Sequence, residues 1–159
     1  MNEHLAIDIA RYVINYSWDI DSPLSNLKLQ KLLYFIQGNF LRILQRPCFI
    51  DDIEAWKYGP VVPTVYSKFK RYGSNNINRI DYIYEFKPNK FEPVKKEFNL
   101  ILNDDEIKII HDVVLACKDY SASYLVKLTH SQLPWIKSYN RNNNVISIGL
   151  MKEYFCDEQ

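Results

Sequence analysis

The sequence predicts a mainly α-helical, compact single-domain bundle of about six or seven helices, with a small irregular or β insert near residues 74–100. Three observations carry that expectation. Apolar residues recur at three- and four-residue spacing through most of the chain, the signature of helices that bury one face. Capping residues stand at the starts of these runs, at Ser25, Asn103, Ser121 and Ser147. Between residues 80 and 86 the pattern changes to alternation, which suits an edge strand or short hairpin.

The elements follow in order. Leu5, Ile9, Tyr12, Val13 and Tyr16 predict a first helix over residues 3–17, broken between Asp19 and Pro23. Ser25 caps a second, in which Leu29, Leu32, Leu33, Ile36, Phe40 and Ile43 form an apolar face to about Leu44, and Pro47 ends it. Lys28, Lys31, Asn39 and Arg42 are expected on the opposite face. Gln30, Tyr34 and Gln37 form a stripe between the two, either a solvated edge or a contact surface. Thr64 to Tyr72 reads as a third helix, ended by Gly73 in the left-handed position. Pro88 and Pro93 bar a long central strand from the insert. Asn103 or Asp104 caps a helix to about Tyr120, with Asp104, Asp105 and Glu106 on its positive end. A helix from Ser121 to about Thr129, a short one around Trp135 and a last one from Ser147 to Phe155 complete the set.

Its 159 residues fit one domain, large enough to bury a core without disulfides or metals. Cys48, Cys117 and Cys156 contain no close pair, so neither a zinc knuckle nor a redox dithiol is indicated and a reducing compartment is expected. The N-terminal residues lack a basic-then-apolar leader pattern, and no apolar run is long enough to span a bilayer. A cytoplasmic, soluble protein is expected. Net charge is +1 but unevenly spread: residues 21–96 hold thirteen Lys and Arg against seven Asp and Glu, and the rest hold seven against twelve. A basic centre of this modest size is more often a solvated face than a nucleic-acid footprint.

Catalytic and metal-binding patterns are missing. His4, His111 and His130 stand far apart, and none pairs with a second ligand type at helical spacing. Four scattered glycines give no phosphate-cradling loop. His130 sits between Thr129 and Ser131, but adjacency supplies neither an orienting group nor an oxyanion site. Asp51, Asp52 and Glu54 offer too few oxygens for a hard cation. No cofactor is expected.

What stands out is Glu54-Ala55-Trp56-Lys57-Tyr58-Gly59-Pro60-Val61-Val62-Pro63-Thr64-Val65-Tyr66, expected to be a rigidified loop. Its aromatics either plug a small core or form a central patch: Trp56, Tyr58 and Tyr66 with Lys57 beside them, edged by Lys28 and Lys31. With the earlier Leu27-Lys28-Leu29-Gln30-Lys31-Leu32-Leu33-Tyr34 run and Leu125-Val126-Lys127-Leu128-Thr129-His130-Ser131-Gln132-Leu133-Pro134-Trp135, the block completes a set of three in fixed order.

This set resembles the Panacea domain family, also described as SocA-like antitoxins and GepA-type phage-associated proteins, over roughly residues 5–155. The resemblance implies a non-enzymatic antitoxin that neutralises a cognate toxin by direct protein contact, with delivery to a ClpXP-type protease as one route. A phage-associated nucleic-acid-binding or transcription-regulating protein is the alternative. The residues expected to meet the partner are Lys28, Gln30, Lys31, Tyr34, Gln37, Trp56, Lys57, Tyr58, Pro60, Tyr66, His130 and Trp135. Because the family pairs with different toxins, residues 74–100 are the other candidate face.

Overall fold

A computed structural model describes residues 3–157. Among these residues the helices are α1 (Ala6–Asp19), α2 (Asn26–Leu44), α3 (Pro63–Phe69), α4 (Asp104–Ala116), α5 (Ala122–His130), α6 (Leu133–Ser138) and α7 (Ile148–Asp157). The strands are β1 (Ile53–Trp56), β2 (Gly59–Val61), β3 (Tyr82–Glu85), β4 (Val94–Glu97) and β5 (Val145–Ile146), and a 3₁₀ turn follows α3 at Lys70–Tyr72. The mainly helical class with a small β insert is therefore correct.

The centre of the molecule is α2. Its start is fixed by Ser25, whose hydroxyl accepts from the Lys28 N–H. Leu29, Leu32, Leu33, Ile36 and Phe40 are fully buried, each contributing roughly 1.5–3 kcal/mol of gross apolar transfer. Around it pack α1, α4, α5, α7 and β2. Because neighbours lie on most sides, most of the helix circumference is interior; Lys28 and Asn39 are half-buried, Arg42 is exposed, and Ile43, expected on the apolar face, is exposed at the C-terminal end.

The block from Glu54 to Tyr66 is not the loop its prolines suggest. It forms an antiparallel hairpin, Glu54 opposite Val61 and Trp56 opposite Gly59, and β5 pairs with the outer side of β1. The order β2-β1-β5 recruits a partner from about ninety residues away, so the third strand that stabilises the hairpin is invisible locally. The left-handed conformation at Gly59 (φ +105°) allows the tight return.

Boundaries shift elsewhere for identifiable reasons. The first helix begins later, at Ala6, whose N–H is accepted by the distant Asp51 Oδ1 at 2.8 Å. The long acidic-capped helix stops at Ala116, short of Tyr120. At its start Asn103 and Glu106 form a reciprocal capping box. Glu106 also accepts from Arg46 at 3.2 Å and pairs with His4 at 2.8 Å. Burial would raise the Glu106 pKa, but the Asn103 N–H, His4 and Arg46 together hold it below the usual value. The alternating stretch is a two-stranded ribbon of β3 and β4, with Tyr82 opposite Glu97 and Glu85 opposite Val94.

Candidate functional site

The three sequence blocks meet in space around α2 and the β1–β2 hairpin. The contact is built from the polar stripe of α2, which lies inside the protein and not on an edge. Gln30 Oε1 accepts from the Val62 N–H at 2.9 Å, and its Nε2 donates to Asn26 Oδ1. Gln37 Oε1 accepts from the Cys48 and Phe49 N–H groups, while its Nε2 donates to the Phe49 carbonyl. The Tyr34 hydroxyl donates to Gln132 Oε1 at 2.8 Å. Each amide or hydroxyl satisfies backbone or side-chain groups that would otherwise be buried without partners.

Lys31 reverses its expected placement most fully. It is 0% exposed, and Nζ donates to the Pro60 carbonyl at 2.9 Å. Loss of hydration lowers its pKa to about 7. A methyl group at Gly59 would stand 2.6 Å from Lys31 Cε and 2.8 Å from Thr129 Oγ1, so only glycine lets the chain pass. Gln30, Lys31, Tyr34, Gln37 and Pro60 are therefore buried in the folded chain. Lys28 is also elsewhere: its ammonium reaches the Lys118 carbonyl just past α4, away from the hairpin. Burial lowers its pKa, partly offset by Cys117 and Asp119.

The remaining expected residues do come together. Trp56 packs edge-on against Tyr66 at 5.1 Å, and its indole N–H donates to Glu54. The Trp56 carbonyl accepts from the Trp135 indole at 2.8 Å. The next carbonyl, Lys57, is 2.9 Å from His130 Nε2; a carbonyl can only accept, so that nitrogen carries the proton. His130, Trp135 and Tyr139 stack in series, with ring centroids 4.1 and 4.5 Å apart. The turn of the hairpin is thus held on two successive carbonyls, and it presents Lys57 and the 58% exposed Tyr58 to solvent. A groove of about 370 Å³ runs beside it, floored by Leu27, Trp56, Val61 and Tyr66 with Lys70 on its rim.

Tyr139 and Gln132 were not anticipated. Tyr139 lies four residues after Trp135, a spacing that brings aromatics together on a helix. Gln132 sits within the third block but carried no local hint of its bond to Tyr34. The groups weighed for chemistry do not converge. Asp51 is occupied by the Ala6 N–H and the Thr64 hydroxyl, Glu54 by Trp56, and Thr129 by the Leu125 and Val126 carbonyls. Among the described residues no three His, Cys, Asp or Glu cluster in a way that could hold a metal ion, and no helix is long and apolar enough to cross a membrane.

Fold and surface together define a helical domain with a rigid aromatic hairpin tip, assembled from three sequence blocks. A family model described as antitoxin SocA-like, Panacea domain, matches residues 29–136, which contain the second and third blocks and the first from Leu29 onward. The chain is 34% identical to Antitoxin SocA of Caulobacter vibrioides (strain NA1000 / CB15N) over 160 residues, covering 94% of this chain and 77% of that protein. The chain belongs to the SocA-like antitoxin, Panacea-domain family. No solved structure matches it.

Proposed function

We propose that this protein is an antitoxin that neutralises a cognate protein toxin by direct binding, and that it breaks no covalent bond in doing so. The single observation that carries the reading is the identity to Antitoxin SocA along nearly the whole chain. The hairpin tip supports it physically. Tyr58 and Lys57 are large exposed groups on a turn whose backbone is already fixed by His130 and Trp135, so little ordering entropy is lost on association. Aromatic and cationic anchors of this kind dominate binding energy at protein interfaces.

Co-expression with the product of the adjacent reading frame tests the proposal. The chain restores growth and co-purifies with that product, and Tyr58→Ala weakens the complex by about 1–3 kcal/mol while leaving the melting temperature unchanged. A toxic neighbour that is neither bound nor neutralised would refute it. Hand-over of the toxin to a ClpXP-type protease is the finer form of the mechanism. In that form the toxin disappears from wild-type cells and persists, bound but intact, in cells lacking the protease.

A further inference from the structure

The β3–β4 ribbon has a feature that the hairpin tip lacks: an unpaired strand edge. Its register is set by Tyr82 opposite Glu97, Ile83 opposite Lys96, Tyr84 opposite Lys95 and Glu85 opposite Val94. The Phe98 N–H donates to the Asp81 carbonyl at 2.9 Å, so Asp81 and Phe98 are a hydrogen-bonded pair. In an antiparallel ladder such pairs alternate with pairs whose backbone groups point outward. Asp81, Ile83 and Glu85 therefore spend their backbone groups on β4. Tyr82 and Tyr84 direct their N–H and C=O groups to the open side, where no strand among the described residues pairs with β3.

That side is not bare solvent. Residues Ile80 to Tyr84 form one wall of a groove of about 490 Å³ whose other wall comes from α1, α3 and the 3₁₀ turn. The groove lining carries Arg11, Lys68, Arg71 and Arg79 against the single carboxylate of Asp81. Arg11 and Arg79 are partnered by Asp8 and Asp19 at their margins. Lys68 and Arg71 are exposed and have no carboxylate partner among the described residues, and Arg71 lies over the Tyr72 ring at 4.9 Å. Unpaired donors and acceptors at strand spacing, beside surplus positive charge, match one kind of ligand: extended backbone bearing carboxylates. A nucleic-acid strand has phosphates for the cations but no regular backbone donors for the Tyr82 and Tyr84 carbonyls.

We propose that the open edge of β3 takes an extended, acidic segment of the toxin as an added antiparallel or parallel strand, with Lys68 and Arg71 meeting its carboxylates. The inference rests on the antitoxin reading in taking the toxin as the partner, and places a second contact region away from the hairpin tip. Two exposed aromatics that the core does not use, Tyr82 and Tyr84, also line this groove.

The test is binding of the adjacent reading frame's product by three variants of the full chain. Tyr84→Pro deletes one outward N–H; it suits an edge strand, since that N–H is not part of the β3–β4 ladder. Tyr84→Ala removes the ring and keeps the N–H. Lys68→Glu/Arg71→Glu reverses the charge. Expected are a loss of about tenfold or more for Tyr84→Pro beyond that of Tyr84→Ala, and a comparable loss for the charge reversal that shrinks as salt is raised. In the wild-type complex the Tyr82 and Tyr84 amides become protected from hydrogen exchange, a readout that needs no variant to fold. Binding by wild type with both amides unprotected and Tyr84→Pro equal to Tyr84→Ala overturns the edge and leaves the antitoxin function standing. No binding by wild type overturns both. Saturable retention of a single-stranded oligonucleotide at physiological salt, abolished by the charge reversal, assigns the groove to nucleic acid and overturns the proposal.

Discussion

Among the described residues no carboxylate offsets the burial of Lys31, and its ionisation therefore leaves a mark on stability. The unfolded side chain holds its proton to about the ordinary value of 10.5, whereas the folded one releases it near 7. Between those limits the unfolded chain binds more protons, so stability rises with pH; below about 7 both states are protonated and the cost is constant. Tyr34 acts in the opposite sense above its ordinary value of 10.0, because burial keeps its phenol protonated after the unfolded one has ionised. A gain on the order of 2 kcal/mol is expected from about pH 6.5 to about pH 9, measured by urea unfolding. Lys31→Met, which has no proton to lose, flattens that slope whatever its net effect on stability; an unchanged slope would show that the ammonium is hydrated. The spacing put Lys31 on the outer face of α2, as an edge of the aromatic patch. Its burial was illegible because it depends on the Pro60 carbonyl, twenty-nine residues away, arriving over that turn of α2.

Elements in this protein are joined by contacts with little slack. The meeting of α2 and α7 depends on Gly38, where an added methyl would lie 2.4 Å from the Phe155 ring. That ring also meets Tyr34 and Phe35 edge-on, which restricts how it can retreat. Gly38→Ala gains about 1 kcal/mol of helix propensity and loses about 1–3 kcal/mol to overpacking. A net fall in melting temperature is expected, and Gly38→Ala combined with Phe155→Leu should recover part of it. A stabilised single variant would mean that α7 can slide. At this scale the sequence was most legible where a helix carries its own caps, as at Ser25 and Asn103 with Glu106. It was least legible at the hairpin, whose prolines signal a loop when β5 is left out of view.

The whole molecule divides its labour between a dense centre on α2 and two exposed projections, the hairpin tip and the β3–β4 ribbon. The ribbon's strands add little to the core, which is reached instead through the flanking Ile80, Leu100 and Leu102. Replacing residues 82–97 with a short Gly-Ser turn should leave the helical circular dichroism intact and shift the melting temperature by less than about 5 °C. Toxin binding, by contrast, should fall, and a collapse of the helical signal would show that the ribbon is structural. The same division explains which sites could be foreseen. Helical class, caps, the ribbon's alternation and the family's three blocks follow from spacing along the chain, because periodicity and local hydrogen bonding are properties of neighbours in sequence. Which of the block residues face solvent was decided only by tertiary structure. Gln30, Lys31, Tyr34 and Gln37 turn inward because α2 is surrounded, and a polar side chain cannot report from its own position how many backbone groups the rest of the fold will bring to it.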